Sequence, residues 1–153
     1  MLDDFDRMLL NAVQQDDSRT ADELAAQVAL SPSAIARRLR RLRAEGWIAR
    51  TVALLAPRLL HHRLRTVVLV QLNEHADRHG KDLLLERLRA ANEVQFAYEI
   101  SGAYDLLAML DCSDMDRFVE LAEALFAADS TVRRYETSFI KRELKFAPFV
   151  KLS

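Results

Sequence analysis

The sequence predicts an α+β chain in two parts, and three observations carry that prediction. Two capped helical patterns are separated by only Ala29, Leu30 and Ser31, a break short enough to make the helices cross steeply, as in a helix-turn-helix. The second of those helices carries arginines over most of its outward side. From Thr66 onward the periodicities run strand, helix, strand, strand, helix, strand, the order of a split βαβ or ferredoxin-like unit with both helices on one face of an antiparallel sheet. A length of 153 residues holds two such small domains.

The elements follow in order. Over residues 3–14, Phe5, Leu9, Leu10 and Val13 form one helical stripe. Thr20, followed three residues later by Glu23, is a capping box that opens a second helix running to about Val28, with Leu24, Ala25 and Val28 inward. Ser31 caps the third helix and Pro32 occupies its first position, where the missing N–H has no partner to lose. Gly46 ends it. The large apolar and β-branched residues 47–55 predict a strand that stops at Pro57, and the polar stretch 58–65 marks the domain boundary.

In the second part, residues 66–72 predict a buried strand and residues 81–91 a helix with Leu84, Leu85, Leu88 and Ala91 inward. Residues 94–100 alternate Val94, Phe96, Tyr98 and Ile100 against Gln95, Ala97 and Glu99. A tight turn at Gly102 leads to a strand over 105–112. A helix over 114–127 then places Met115, Phe118, Val119, Ala122, Leu125 and Phe126 on one side, and residues 132–140 close the unit as a strand. Two helices cover one face of such a sheet and leave the other needing a partner.

The chain is 50% hydrophobic and 29% charged, the composition of a folded protein. The acidic start lacks the basic end and apolar run of a signal peptide, and there is no 18-residue apolar stretch. The single Cys112 excludes an intramolecular disulfide framework and a cysteine-rich zinc site. The expectation is a reduced cytoplasmic protein with no membrane partner. Its net charge of −1 conceals a local cationic block: from Ser31 to Arg65 there are nine arginines against the single acid Glu45. Nucleic acid is the first partner such a block suggests.

At about 100° per residue, Ile35, Leu39 and Leu42 form the inner stripe of the third helix. Ser33, Arg37, Arg40 and Arg41 then face outward, while Arg38 and Arg43 flank that face. Residues facing outward near the start of a helix can touch base edges of double-stranded DNA as flanking arginines fix its register on phosphates. The plainer alternative is a solvated surface helix. Against it, no acid lies at helical spacing to pair these arginines before Glu45, so they repel one another without structural gain.

The first part resembles the winged helix-turn-helix of the Lrp/AsnC, or feast/famine, family of prokaryotic transcription regulators. The matching residues are Leu2-Asp-x-x-Asp6, Leu30-Ser-Pro-Ser33, Arg38-Leu-Arg-Arg-Leu42, Glu45-Gly-Trp-Ile48 and Ala53-Leu-Leu-Ala-Pro57. The remainder resembles that family's effector-binding and oligomerisation domain, through Ser101-Gly-Ala-Tyr-Asp105 and Glu136-Thr137. The resemblance implies residues 1–60 as a DNA-binding domain with its linker strand, using Ser31, Ser33, Arg37, Arg38, Arg40, Arg41 and Arg43. It implies residues 61–153 as a sensor of a small molecule, usually an amino acid, with Ser101, Gly102, Ala103, Tyr104, Asp105, Tyr135 and Thr137 at the effector.

A zwitterionic ligand needs amides for its carboxylate, which Gly102 lets it approach, and an acid such as Asp105 for its ammonium. The ordinary alternative is a hairpin turn at Gly102 with Asp105 as its cap. The resemblance further implies homodimers and permits rings of dimers. Effector bound between sensor domains would shift assembly geometry and hence the occupancy of half-sites about 34 Å apart. Three positions depart from the family pattern: Ala29 stands where the turn usually has glycine, which predicts a slightly different or mildly strained backbone, Arg43 replaces a common glutamate, and Tyr135 a frequent threonine.

Other constellations point to less. His75 and His79, with Glu74 and Asp77, have a spacing that holds metal only if both imidazoles share a helix face; exposed loop histidines are the better reading. His61 and His62 border the hinge, and Cys112 reads as a core thiol. With only Gly46, Gly80 and Gly102, no glycine-rich catalytic motif is available, and no metal or cofactor is expected. Siroheme decarboxylases share the two-domain layout, which keeps an enzyme as one alternative, but their histidine- and arginine-rich substrate segments are not recognisable here. A DNA-binding architectural protein without an effector is the other.

Overall fold

A computed structural model describes residues 1–74 and 78–153, which form two compact units, Met1–Leu54 with Lys145–Ser153, and Leu55–Leu144. The last nine residues, grouped with the sensor domain on sequence, thus belong by contact to the first unit.

In the first unit, α1 (Asp4–Val13), α2 (Ala21–Ala25) and α3 (Pro32–Ala44) bury Leu9, Leu10, Val13, Leu24, Val28, Ile35, Leu39 and Leu42. Burying each such side chain contributes about 1.5–3 kcal/mol, so this stripe-to-stripe contact dominates the unit's stability. The expected caps form: the Thr20 amide donates to Glu23 Oε2 (2.7 Å), the Glu23 amide donates to Thr20 Oγ1 (3.2 Å), and Ser31 Oγ accepts from the Ala34 amide (3.3 Å). At Gly46, with φ +78°, α3 ends in a Schellman motif in which the Gly46 amide donates to the Arg43 carbonyl and the Trp47 amide to the Leu42 carbonyl.

Of the two expectations for Ala29, a different backbone and not a strained one is what forms: no described residue other than glycine has positive φ, α2 stops early, at Ala25, and the Leu30 amide donates to the Val28 carbonyl in a tight turn centred on Ala29. Phe5, expected inward, is 36% exposed, and Asp6 is fully buried in its stead.

Residues 47–56 form no strand. Their β-branched and apolar composition favours extended backbone, yet a strand requires a ladder partner, and among the described residues the segment finds none. Trp47, Val52, Leu54 and Leu55 are left at least half exposed. Asp17 tethers this stretch by accepting from Thr51 Oγ1 at 2.7 Å.

The second unit has β1 (Leu64–Leu72), α4 (Arg78–Ala90), β2 (Val94–Glu99), β3 (Leu106–Cys112), α5 (Met115–Ala122) continued by a π-turn (Glu123–Ala127), and β4 (Val132–Phe139). The antiparallel sheet has the order β2-β3-β1-β4, as the ferredoxin-like reading requires. One face packs Val68, Val70, Leu106, Ala108 and Leu110 against Leu84, Leu88, Phe118, Leu121 and Phe126.

In α5, Leu121 takes a buried place while Met115 and Val119, expected inward, are 49% and 56% exposed. The 118-121-122-125 stripe is the one aligned with the sheet, and Met115 and Val119 lie at its margins.

The alternation expected along β2 is broken. Val94 pairs with Leu110, but Phe96 pairs with Met109 and Tyr98 with Leu107, so a bulge at Gln95 reverses the faces. Val94 joins the helix-covered core, whereas Phe96 and Tyr98 join Val67, Leu69, Leu107 and Met109 on the opposite face.

Candidate functional site

The structure divides the five arginines of α3 into two kinds. Arg38 Nη1 donates to Asp3 Oδ2 (2.7 Å) and Asp6 Oδ1 (2.8 Å), and its guanidinium lies 5.7 Å from the centroid of the Phe5 ring. Arg41 Nη2 donates to Asp6 Oδ2 at 2.5 Å, and Arg43 Nη2 to Asp17 Oδ1 at 2.7 Å. Arg37 and Arg40 are exposed and form no ion pair among the described residues.

The carboxylates come from the cap and first turn of α1 and from the loop after it, 26 to 35 residues earlier in the chain, beyond the reach of helical-spacing arguments. Helical spacing places Arg41 among the outward residues of α3, but in the fold it is tied to Asp6. The available signal was spacing: Asp6 stands at i, i+3, i+4 and i+7 with Leu9, Leu10 and Val13, a charged residue in line with the inward stripe of α1.

Asp6 also completes a capping box, its Oδ2 accepting from the Asp3 amide (3.2 Å) and its own amide donating to Asp3 Oδ1 (2.8 Å). Burial pushes the Asp6 carboxyl up, but hydrogen bonds from Arg41, Arg38 and the Asp3 amide outweigh it and hold it below the ordinary carboxylate value. Asp3 is lowered as well, by the Asp6 amide first and by Arg38 next. Ser31 and Ser33 are exposed at the start of α3, their hydroxyls 3.2 Å apart.

In the second unit the turn after β2 has Gly102 at φ +145°, a conformation reserved for glycine, with open space where a Cβ would stand. Among the described residues, the backbone amides of Ser101, Gly102, Ala103 and Tyr104 donate to no protein group. The Asp105 amide donates to the Val70 carbonyl (2.9 Å), and its carboxylate Oδ2 accepts from the Leu72 amide (2.8 Å), pinning the turn to the end of β1.

The neighbouring Glu136 carboxylate raises the pKa of the Tyr104 phenol, with burial adding to the effect; the Arg134 guanidinium lies 5.6 Å from its ring centroid. The turn therefore meets β4 through Arg134 and Glu136. Tyr135 and Thr137 alternate with these positions and do not join it. The Tyr135 ring lies 5.3 Å from that of Phe126 in the helix-covered core, and Thr137 pairs with the buried Val68. A cleft of about 370 Å³ runs along β2 beside α4, lined by Leu85, Leu88, Arg89, Val94 and Ala97 among others, and contains none of the expected effector residues.

Of the histidine constellation, His75 and Asp77 lie outside the described residues. Among the described residues no group of His, Cys, Asp or Glu is arranged to hold a metal, and no helix is long and apolar enough to cross a membrane. Cys112 is buried, and burial pushes its thiol pKa up.

A helix-turn-helix bearing an arginine helix, followed by a ferredoxin-like unit with a turn of undonated amides, defines a DNA-binding regulator with a ligand-binding domain. Comparison with known proteins agrees. Residues 2–49 match the winged helix-turn-helix DNA-binding pattern and residues 65–148 the Lrp/AsnC ligand-binding domain. The chain belongs to the Lrp/AsnC family of transcriptional regulators.

The leucine-responsive regulatory protein of Salmonella typhimurium is 31% identical over 148 residues, 94% of this chain and 87% of its own length. The glutamate uptake regulatory protein of Zymomonas mobilis is 31% identical over 153 residues, 99% of this chain and 91% of its own. A transcriptional regulator of Neisseria meningitidis, solved as a complex with L-methionine, superposes with a TM-score of 0.83 at 26% identity, covering 100% of this chain and 97% of that one.

Proposed function

We propose that α3 reads double-stranded DNA with Ser33, Arg37 and Arg40 toward base edges in the major groove and Ser31, Arg38, Arg41 and Arg43 on the flanking phosphates. The observation that carries this reading is the division of the arginines. An unpaired guanidinium is free for a bidentate contact with guanine, whereas one already tied to a carboxylate retains N–H groups suited to a phosphate oxygen.

Arg40→Ala should cost about 1–3 kcal/mol on the preferred sequence and blur that preference, while Arg43→Ala weakens all duplexes about equally. Binding titrations on selected and random duplexes measure both. Equal losses on the two duplexes for both variants would reject the assignment.

In this reading the unit of residues 1–54 with 145–153 binds DNA, while residues 55–144 sense an amino acid at the 101–105 turn and form a homodimer through the open sheet face. Four undonated amides at the turn suit a carboxylate, and the free oxygen of Asp105 suits an ammonium. The names of the two relatives and the L-methionine complex support an amino acid as the ligand class. The chain then acts by binding and not by catalysis: the effector biases one assembly geometry, and promoter occupancy follows.

A further inference from the structure

Asp6 has chemistry that a cap alone does not require. A carboxylate with a 1% exposed side chain accepts from three donors, two of them guanidinium groups one helical turn apart on α3. Asp3 adds a second acid to Arg38 and the Phe5 ring covers its guanidinium, so the charges of Arg38 and Arg41 are balanced locally by Asp3 and Asp6. A free arginine condenses onto any phosphate and releases a counterion whatever the sequence. One held against a buried carboxylate keeps its direction but contributes little to that indiscriminate attraction.

We propose that Asp6 is a positioning residue for sequence discrimination: it orients Arg38 and Arg41 as fixed hydrogen-bond donors and withholds their charge from non-specific DNA binding. Arg37 and Arg40 remain as the freely acting cations of the helix. This rests on α3 as the DNA-contacting helix. It goes further in assigning specificity to an acid buried beneath that helix, which no base or phosphate need touch.

The test measures affinity against salt concentration for a random-sequence duplex and for the duplex that wild-type protein selects from a random library. Asp6→Asn, which preserves shape and keeps one of the two acceptor oxygens but removes the charge, should steepen the salt slope on random DNA by about one to two. Its affinity for random DNA should rise and the selected-to-random ratio fall about tenfold or more. A merely structural role would lower thermal stability and leave the slope unchanged, so a folded variant with wild-type slope and ratio overturns the proposal.

Arg41→Gln and Arg37→Gln keep the test decisive even where Asp6→Asn does not fold. Arg37→Gln should flatten the slope by about one, and Arg41→Gln by less than half as much. Equal flattening by both overturns the role of Asp6 while sparing α3. No flattening by Arg37→Gln overturns the placement of α3 on DNA, and the proposal with it.

Discussion

Asn11 and Leu152, 141 residues apart, exchange two hydrogen bonds: Asn11 Nδ2 donates to the Leu152 carbonyl and Asn11 Oδ1 accepts from the Leu152 amide, each at 2.9 Å. Gln14, one turn further along α1, makes the same double contact with the backbone of Val150. Two side-chain amides on one helix thus imitate the edge of a strand, and the Leu152 side chain packs against the core of the first unit.

Removing Lys145–Ser153 should therefore destabilise the helix-turn-helix unit. These bonds are partly exposed and contribute about 1 kcal/mol or less each, and the Leu152 contact adds a similar amount, so a loss of about 2–4 kcal/mol is expected. Trp47, the only tryptophan, reports on this unit in denaturant titrations. An unchanged midpoint would mean that the tail does not contribute to the unit.

Acid should act on the same unit through Asp3 and Asp6. Both carboxyls titrate below their ordinary value when folded, so the unfolded chain takes up protons first. Their contribution is complete above the unfolded value near pH 4 and is lost as pH falls through the lower folded values. Urea midpoints followed by Trp47 fluorescence should drop steeply below about pH 4. Asp6→Asn should flatten the drop without abolishing it, because Asp3, Asp16 and Glu23 are also lowered.

The open sheet face predicts the oligomer. Val67, Leu69, Leu107, Phe96 and Tyr98 form an apolar surface beside the more polar β4 positions Arg134, Glu136 and Ser138. Leu69→Lys places an ammonium directly opposite Glu136, which a monomer tolerates and a dry interface does not. Sedimentation at micromolar concentration should show a dimer for the wild type and a monomer for the variant. A monomeric wild type would reject the interface.

The effector turn is tested through Asp105. Because its carboxylate already accepts from the Leu72 amide, Asp105→Ala would damage the turn whether or not a ligand binds there. Asp105→Asn keeps an acceptor for the Leu72 amide and replaces the other oxygen with an uncharged NH2 donor. Thermal scans with each common amino acid should find one or more that stabilise the wild type, by about 2.7 kcal/mol at 100 times the dissociation constant. The variant should lose that shift yet keep its effector-free DNA affinity within about threefold. A variant that responds like the wild type would place the ligand elsewhere.

Local chemistry was legible in the sequence. The cap at Thr20, the cap at Ser31 and the glycine stop at Gly46 depend on residues within four positions of one another, and each formed as expected. The order of strands and helices after Thr66 and the inner stripe of Ile35, Leu39 and Leu42 follow from periodicity, which is also local. The cationic character of α3 was plain from composition.

Everything that depended on a distant partner was decided by tertiary structure. Residues 47–56 have strand composition but no ladder, because backbone pairing requires a second segment that composition cannot supply. One extra residue at Gln95 reversed the faces of Phe96 and Tyr98, since a period of two inverts with any insertion. Tyr135 and Thr137 were separated from the 101–105 turn by the same alternation. The free or bound state of each arginine was set by Asp3, Asp6 and Asp17, because charge pairing depends on distance in space, and the fold brings α1 to α3 across some thirty residues of chain.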